Sequence, residues 1–188
     1  MTKLSLITAS YNSARTIADT LRSVNAQTYP DFEYLVVDGG SKDETMEIVA
    51  REGQRVTSAV SEPDKGIYDA YNKGLSRATG DVIGFINSDD YYCTPEALSE
   101  VMAAFEADPE LEAVHGDLVY VDPVDTAKIE RHWKSRPARS RTCAAASSRP
   151  TRPCSCAAAS TTRSAGSTPP TGWRPIMTSC CGPSTSTG

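Results

Sequence analysis

Short apolar runs alternate with amphipathic stretches through most of the chain before Lys134. Leu4, Leu6 and Ile7 open a strand over 4–8 that empties into Ala9-Ser10-Tyr11-Asn12, and Ile17, Leu21 and Val24 follow at helical spacing within 14–25. A second apolar run, FEYLVV over 32–37, ends in Asp38-Gly39-Gly40-Ser41. Glycines there permit a tight turn, and Ser41 followed by Glu44 has the capping-box spacing that opens a helix to about residue 51. Residues 56–60 and 81–86 read as further strands, 67–77 and 95–105 as helices, the latter with Pro95 at its start, and 111–115 as another strand. Strand-helix alternation of this kind predicts an α/β domain with a mostly parallel sheet flanked by helices and joined by right-handed crossovers. Its polar loops then gather along one edge, where open α/β sheets bind ligands.

The stretch DVIGFINSDDYY over 81–92 organises the rest. Val82, Ile83, Phe85 and Ile86 form a buried strand, and Asn87-Ser88-Asp89-Asp90 is its polar mouth. Two adjacent carboxylates repel one another unless a cation intervenes, so a divalent metal bridging to a phosphate is one way to stabilise Asp89 and Asp90. The competing reading is that Ser88-Asp89-Asp90 caps the following turn.

Three other loops carry candidate chemistry. Ala9 and Tyr11 offer backbone groups and an aromatic face to a base, or form a plain strand-to-helix turn. Asp38, at the tip of the second strand, suits a hydrogen bond to a base or ribose, although turns also favour aspartate. In the segment SEPDKGIYDAYNKG over 61–74, Asp64 is a loop carboxylate with no evident local need. Lys73 and Arg77 suit a diphosphate, or equally a solvated helix face.

In order and spacing, ITASYN, VVDGGSKDET, SEPDKGIYDAYNKGLSRATGD and IGFINSDDYY resemble the nucleotide-sugar half of family 2 glycosyltransferases of the GT-A fold, over roughly residues 3–120. The resemblance implies a Rossmann-like sheet, a nucleotide-sugar donor, a sugar or lipid-linked acceptor and Mg²⁺ or Mn²⁺. It implies nucleoside contacts at Tyr11 and Asp38 with Asp64 nearby, a metal ligand at Asp90 and its partner at Asp89. Gly39 departs from the pattern, because many members carry a second acid there. The family's general base lies further on, in a stretch resembling A-x-D-Y-D. Cell-surface polysaccharide or glycolipid assembly is the implied setting. The alternatives are a non-catalytic nucleotide-binding remnant, which turnover would separate from an enzyme, and a nucleotidyltransferase, but ITASYNSART lacks the Gly-rich loop nucleotidyltransferases place after the first strand, and the absence of G-x-G-x-x-G argues against an NAD enzyme.

Composition sharpens this picture. The 188 residues are 39% hydrophobic with net charge -5. All 24 acidic residues and 12 of the 19 basic ones lie at or before Lys134, an acidic balance that argues against nucleic-acid binding. The opening MTKLSLITASYN turns polar too soon for a signal peptide, and no run approaches the roughly 20 apolar residues that span a bilayer. A cytoplasmic protein is expected, with peripheral association at the inner membrane face left open.

The sequence thus divides into a donor-binding half-domain, 1–134, and a tail, 135–188. The tail contains no Leu, Val, Phe, Tyr, Asp, Glu or Lys yet holds five of the six cysteines, and so is expected to be disordered and to leave the sheet incomplete, with an uncovered edge. Its C-x-C and C-C spacings do not fit a zinc site, and a cytosolic setting disfavours disulfides. A shifted reading frame fits better. Joining the last base of each codon to the first two of the next, Met177-Thr178 forces Asp, Cys180-Cys181 forces Leu, and Pro175-Ile176-Met177 permits Asp-Tyr. With Ala from Trp173-Arg174 for any CGN arginine codon, and with third bases chosen where the code leaves them open, the other frame can read A-P-D-Y-D, the motif the tail lacks. No catalytic residue is therefore assigned to the chain as written.

Overall fold

The computed structural model describes residues 2–122 and 125–134, together with the backbone of 143–146 and 160–163. Strand β1 (Leu4–Ser10) is followed by α1 (Ile17–Asn25), β2 (Phe32–Asp38), α2 (Thr45–Glu52), β3 (Val56–Ser61), α3 (Ile67–Arg77), β4 (Val82–Phe85) and α4 (Ala97–Ala107). Then come β5 (Ala113–Gly116), β6 (Leu118–Val121), β7 (Ile129–Trp133), β8 (Cys143–Ala146) and β9 (Ser160–Arg163). A seven-stranded sheet runs in the order β3-β2-β1-β4-β9-β5-β8, and β6 pairs with β7 in a separate two-stranded sheet.

Strands β1 to β4 are mutually parallel, β1 pairing with β2 from Leu4↔Phe32 to Ser10↔Asp38 and with β4 from Leu4↔Val82 to Ile7↔Phe85. The chain steps outward from β1 to β3, then returns across β1 to place β4 on its other side. That reversal is a topological switch point, and it lies between the carboxyl ends of β1 and β4.

Period-2 alternation sends Leu4, Leu6, Tyr34, Val36 and Val82 to one face, against Ile17, Leu21 and Val24 of α1, Ile48 and Val49 of α2, and Leu98, Met102 and Phe105 of α4. Ile7, Ala9, Leu35, Val37 and Ile83 face the other way, onto Ala70 and Tyr71 of α3. Helix α3 approaches very closely: a Cβ on Gly74 would stand 2.5 Å from Ile7 Cγ2. Three layers result, as the alternation predicts.

Local differences have physical causes. β1 runs on to Ser10 because Ala9 and Ser10 keep pairing with Val37 and Asp38, and α1 starts at Ile17 because the preceding residues turn, Thr16 and Ile17 N–H both donating to Ser13 O at 3.0 Å. The capping box does not form: α2 has no side-chain cap, Ser41 Oγ donates to buried Asp38, and Asp43 Oδ1 accepts from Thr45 N at 3.1 Å instead. The apolar pattern of the sequence does not predict the antiparallel pairing of β6 with β7.

Where the sequence reading expects no ordered element after Lys134, two four-residue strands stand in the sheet. β9 pairs antiparallel with β4 and β5, and β8 parallel with β5, so the edge beside β4 is covered. A ladder needs only backbone donors and acceptors, which Ala, Ser and Thr supply as well as any residue. The other residues of 135–188 lie outside the described residues. Cys93 is disulfide-bonded, contrary to the reading from compartment.

Candidate functional site

The first loops converge on Asp38. Its fully buried carboxylate accepts from Ser10 Oγ at 3.1 Å, Gly40 N at 3.1 Å, Ser41 N at 2.8 Å and Ser61 Oγ at 2.6 Å, and from Ser41 Oγ. Burial pushes the pKa up, but the hydrogen bonds from Ser41, Ser61 and Ser10 outweigh it and hold the carboxyl below its ordinary value. Asp38 therefore ties the ends of β1, β2 and β3 together and does not line the open space above them. Gly40, at φ 85°, supplies the left-handed turn that lets its N–H point back.

Above this knot lies a cleft of about 700 Å³, walled by Ala9 and Ser10 at the end of β1 and Tyr11 beyond it, Gly39 and Lys42 after β2, and Asp64 before α3. Ser88, in the loop after β4, closes one end. Ala9 is buried and Tyr11 61% exposed, so the tyrosine ring is free to cover a ligand. Ser13 Oγ and Ser88 Oγ lie 2.8 Å apart, joining the first loop to the Asn87–Asp90 segment. Asp64 Oδ1 accepts from Gly66 N at 2.8 Å. Lys73 lies off the cleft walls: its Nζ donates to Pro63 O at 2.8 Å and sits 3.5 Å from Glu62 and 3.7 Å from Asp69. Among the described residues the cation on the cleft wall is instead Lys42, an exposed residue that nothing in the periodicity singles out.

Beyond Ser88, Asp90 is buried and its Oδ2 accepts from Asn87 Nδ2 at 2.8 Å. Asn87 Oδ1 accepts in turn from the Tyr71 hydroxyl. Asp89 is half-buried, and burial raises its pKa by more than the hydrogen bond with its own backbone lowers it. Among the described residues no group of three or more His, Cys, Asp or Glu forms a closed metal cage. Two adjacent carboxylates at the mouth of β4, one buried and one half-buried, do fit a hard divalent ion whose other ligands are phosphate and water.

An open, mostly parallel sheet with a polar cleft and an acidic pair at its switch point is the GT-A class of fold. The model of the family described as glycosyl transferase family 2 matches residues 5–162, and the chain belongs to that family. It is 34% identical over 119 residues to a PGL/p-HBAD biosynthesis glycosyltransferase of Mycobacterium bovis, covering 61% of this chain and 46% of the relative. An uncharacterized glycosyltransferase of Nostoc is 29% identical over 60% of this chain and 36% of its own length. The chain thus spans less than half the length of these relatives. Among solved structures, S. aureus TarS 1-349 in complex with UDP-GlcNAc superposes with a TM-score of 0.58 at 28% identity, over 64% of this chain and 35% of that one. A mannosyltransferase from Pyrobaculum calidifontis, in complex with GDP-Man and Mn²⁺, gives 0.57 at 27%, over 66% of this chain and 37% of that one. No helix among the described residues is long and apolar enough to cross a membrane.

Proposed function

We propose that the cleft holds the nucleoside diphosphate of a nucleotide-sugar donor, and that residues 1–134 are the donor half of an inverting, metal-dependent glycosyltransferase acting on a sugar or lipid-linked acceptor. One observation carries this reading: the cleft at the ends of β1 and β2 is joined, through the Ser13–Ser88 contact, to the segment bearing Asp89 and Asp90. Tyr11 then covers the base, Ala9 and Ser10 offer backbone groups to the nucleoside, and Asp89 and Asp90 hold the metal. The bound ion would neutralise charge on the departing diphosphate. Lys73 acts at one remove, by holding the loop that presents Asp64. TarS and the mannosyltransferase, with their bound UDP-GlcNAc and GDP-Man, support a nucleotide-sugar ligand.

In the reaction an acceptor oxygen bonds to the anomeric carbon, the bond from that carbon to the diphosphate breaks, and the acceptor's proton passes to a carboxylate base. No carboxylate follows Glu130 in this sequence, so the base is missing and the chain as written binds donor without transferring sugar. Titration of UDP and GDP into the full chain with Mn²⁺ tests the donor site, and absence of binding by both would refute it. Assembly of cell-surface polysaccharide or glycolipid, at the inner face of the membrane, is the setting we assign by resemblance.

A further inference from the structure

Gly39 follows β2 directly and lines the cleft, yet its backbone lies outside the left-handed region, so its conformation does not demand glycine. What demands it is Asp64. A Cβ on residue 39 would stand 2.5 Å from Asp64 Oδ2 and 3.0 Å from its Cγ, closer than side chains pack. The Asp64 carboxylate therefore occupies the volume into which a side chain on residue 39 would project.

It is also the only acid on the cleft wall among the described residues, since Asp38 beneath is consumed by its own donors. With Oδ1 held by Gly66 N–H, Oδ2 is the oxygen turned toward Gly39. The loop is anchored on each side: Glu62 N–H donates to Asp38 O at 2.9 Å, Lys65 N–H to Asp69 Oδ2 at 3.1 Å, and Lys73 Nζ to Pro63 O at 2.8 Å. A carboxylate so held loses little freedom when a ligand arrives.

Resting on the donor-site reading above, we propose that Asp64 is the base-reading carboxylate of this chain and selects uracil or guanine over cytosine and adenine. An ionised carboxylate only accepts hydrogen bonds. Uracil presents the N3–H of its imide, and guanine presents N1–H beside its exocyclic amine. Cytosine and adenine present an amine beside a ring nitrogen whose lone pair would face the carboxylate. The carboxylate that reads the base thus comes from the loop between β3 and α3, and Gly39 is the space that admits it.

The test is titration of UDP, GDP, CDP and ADP, each with Mn²⁺, into the full 188-residue chain. The better of UDP and GDP is expected to bind roughly 10- to 100-fold more tightly than CDP and ADP, the range of one hydrogen bond to a charged group. Asp64→Asn keeps an oxygen for Gly66 but substitutes an N–H donor for Oδ2, so the preference falls and moves toward CDP. A folding defect would weaken all four together and leave their ratios unchanged. Gly39→Asp alone should weaken binding by collision with Asp64, and Gly39→Asp with Asp64→Ala should restore the preference for UDP or GDP. Equal affinity for all four, or unchanged ratios in Asp64→Asn, overturns the assignment and leaves the donor site standing. If none of the four binds, the donor site itself is refuted and this assignment with it.

Discussion

The Tyr71 hydroxyl donates to Asn87 Oδ1 at 2.5 Å, joining the helix on one face of the sheet to the loop that carries the acidic pair. The ring is packed edge-on against Phe85, with centroids 4.6 Å apart. Burial, with Asp90 and Asp89 nearby, pushes the phenol pKa far above its ordinary value, so Tyr71 is a neutral donor throughout the working pH range. Its proton fixes which way Asn87 faces, and that orientation aims Asn87 Nδ2 at Asp90.

Tyr71→Phe should therefore cost about 1 kcal/mol of stability, the worth of one internal hydrogen bond, measured by urea unfolding. Freed from its donor, Asn87 no longer holds Asp90 in one place. Nucleotide affinity in the presence of Mn²⁺ is expected to fall several-fold while affinity without metal is unchanged. An equal fall in both would place Tyr71 in the nucleotide pocket rather than behind the metal ligands.

Asp38 gives the acid limb of stability its shape. Its carboxyl titrates below the ordinary aspartate value in the folded chain, and Glu33, held by Ser5, Thr79 and Lys3 at the opposite end of the strands, does likewise. A folded pKa below the unfolded one means that the stabilisation is complete above the ordinary carboxylate range, roughly pH 4, and is lost as pH falls through the folded value. Asp38→Asn should destabilise the chain by roughly 1–3 kcal/mol at neutral pH, because an amide cannot accept every donor that now converges there. Its loss of stability on acidification should be shallower than that of the unmutated chain. Parallel acid limbs in the two proteins would show that Asp38 is not held below its ordinary value.

Lys73→Met is the corresponding test of the loop. Lys73 touches Pro63, the residue before Asp64, and pairs loosely with Glu62 and Asp69. Removing the ammonium while keeping the apolar stem should weaken nucleotide binding several-fold and blunt the distinction between UDP and CDP, without changing the metal dependence. A loss confined to the diphosphate, with inorganic pyrophosphate binding weakened as much as UDP, would return Lys73 to the cleft.

Strand-helix alternation and the positions of the polar loops could be read directly, because period-2 and period-3.6 burial leave their mark on Leu4, Leu6, Ile17, Leu21 and Val24 one residue at a time. What could not be read is whichever partner a polar side chain takes across loops. Ser41 has the spacing of a helix cap, but buried Asp38 claims its hydroxyl. Lys73 reads as a phosphate ligand until α3 is placed beside the Pro63 carbonyl. The dependence of Gly39 on Asp64 is invisible for the same reason, since the two are brought together only when β2 and β3 pair. β9 shows a different limit: its Ser and Thr carry no apolar signal, and a free edge beside β4 selects a strand by backbone alone.

The reading frame provides the decisive prediction. The fold keeps the cleft at the ends of β1 and β2 that we propose holds the donor, while the sequence after Glu130 has no carboxylate to take the acceptor's proton. Positioned general bases contribute roughly 10²- to 10⁴-fold in rate, so the chain as written should bind UDP or GDP yet release no nucleoside diphosphate from a nucleotide sugar above the rate without protein. Accurate sequencing of the gene from the codon for Lys134 onward should show a one-base slip before Cys143, after which the other frame continues through A-P-D-Y-D. The product of that restored frame should transfer sugar, and replacing the second aspartate of its motif with asparagine should remove most of the gain. Turnover by the 188-residue chain itself would mean that a base exists within it and that the tail is not a shifted frame.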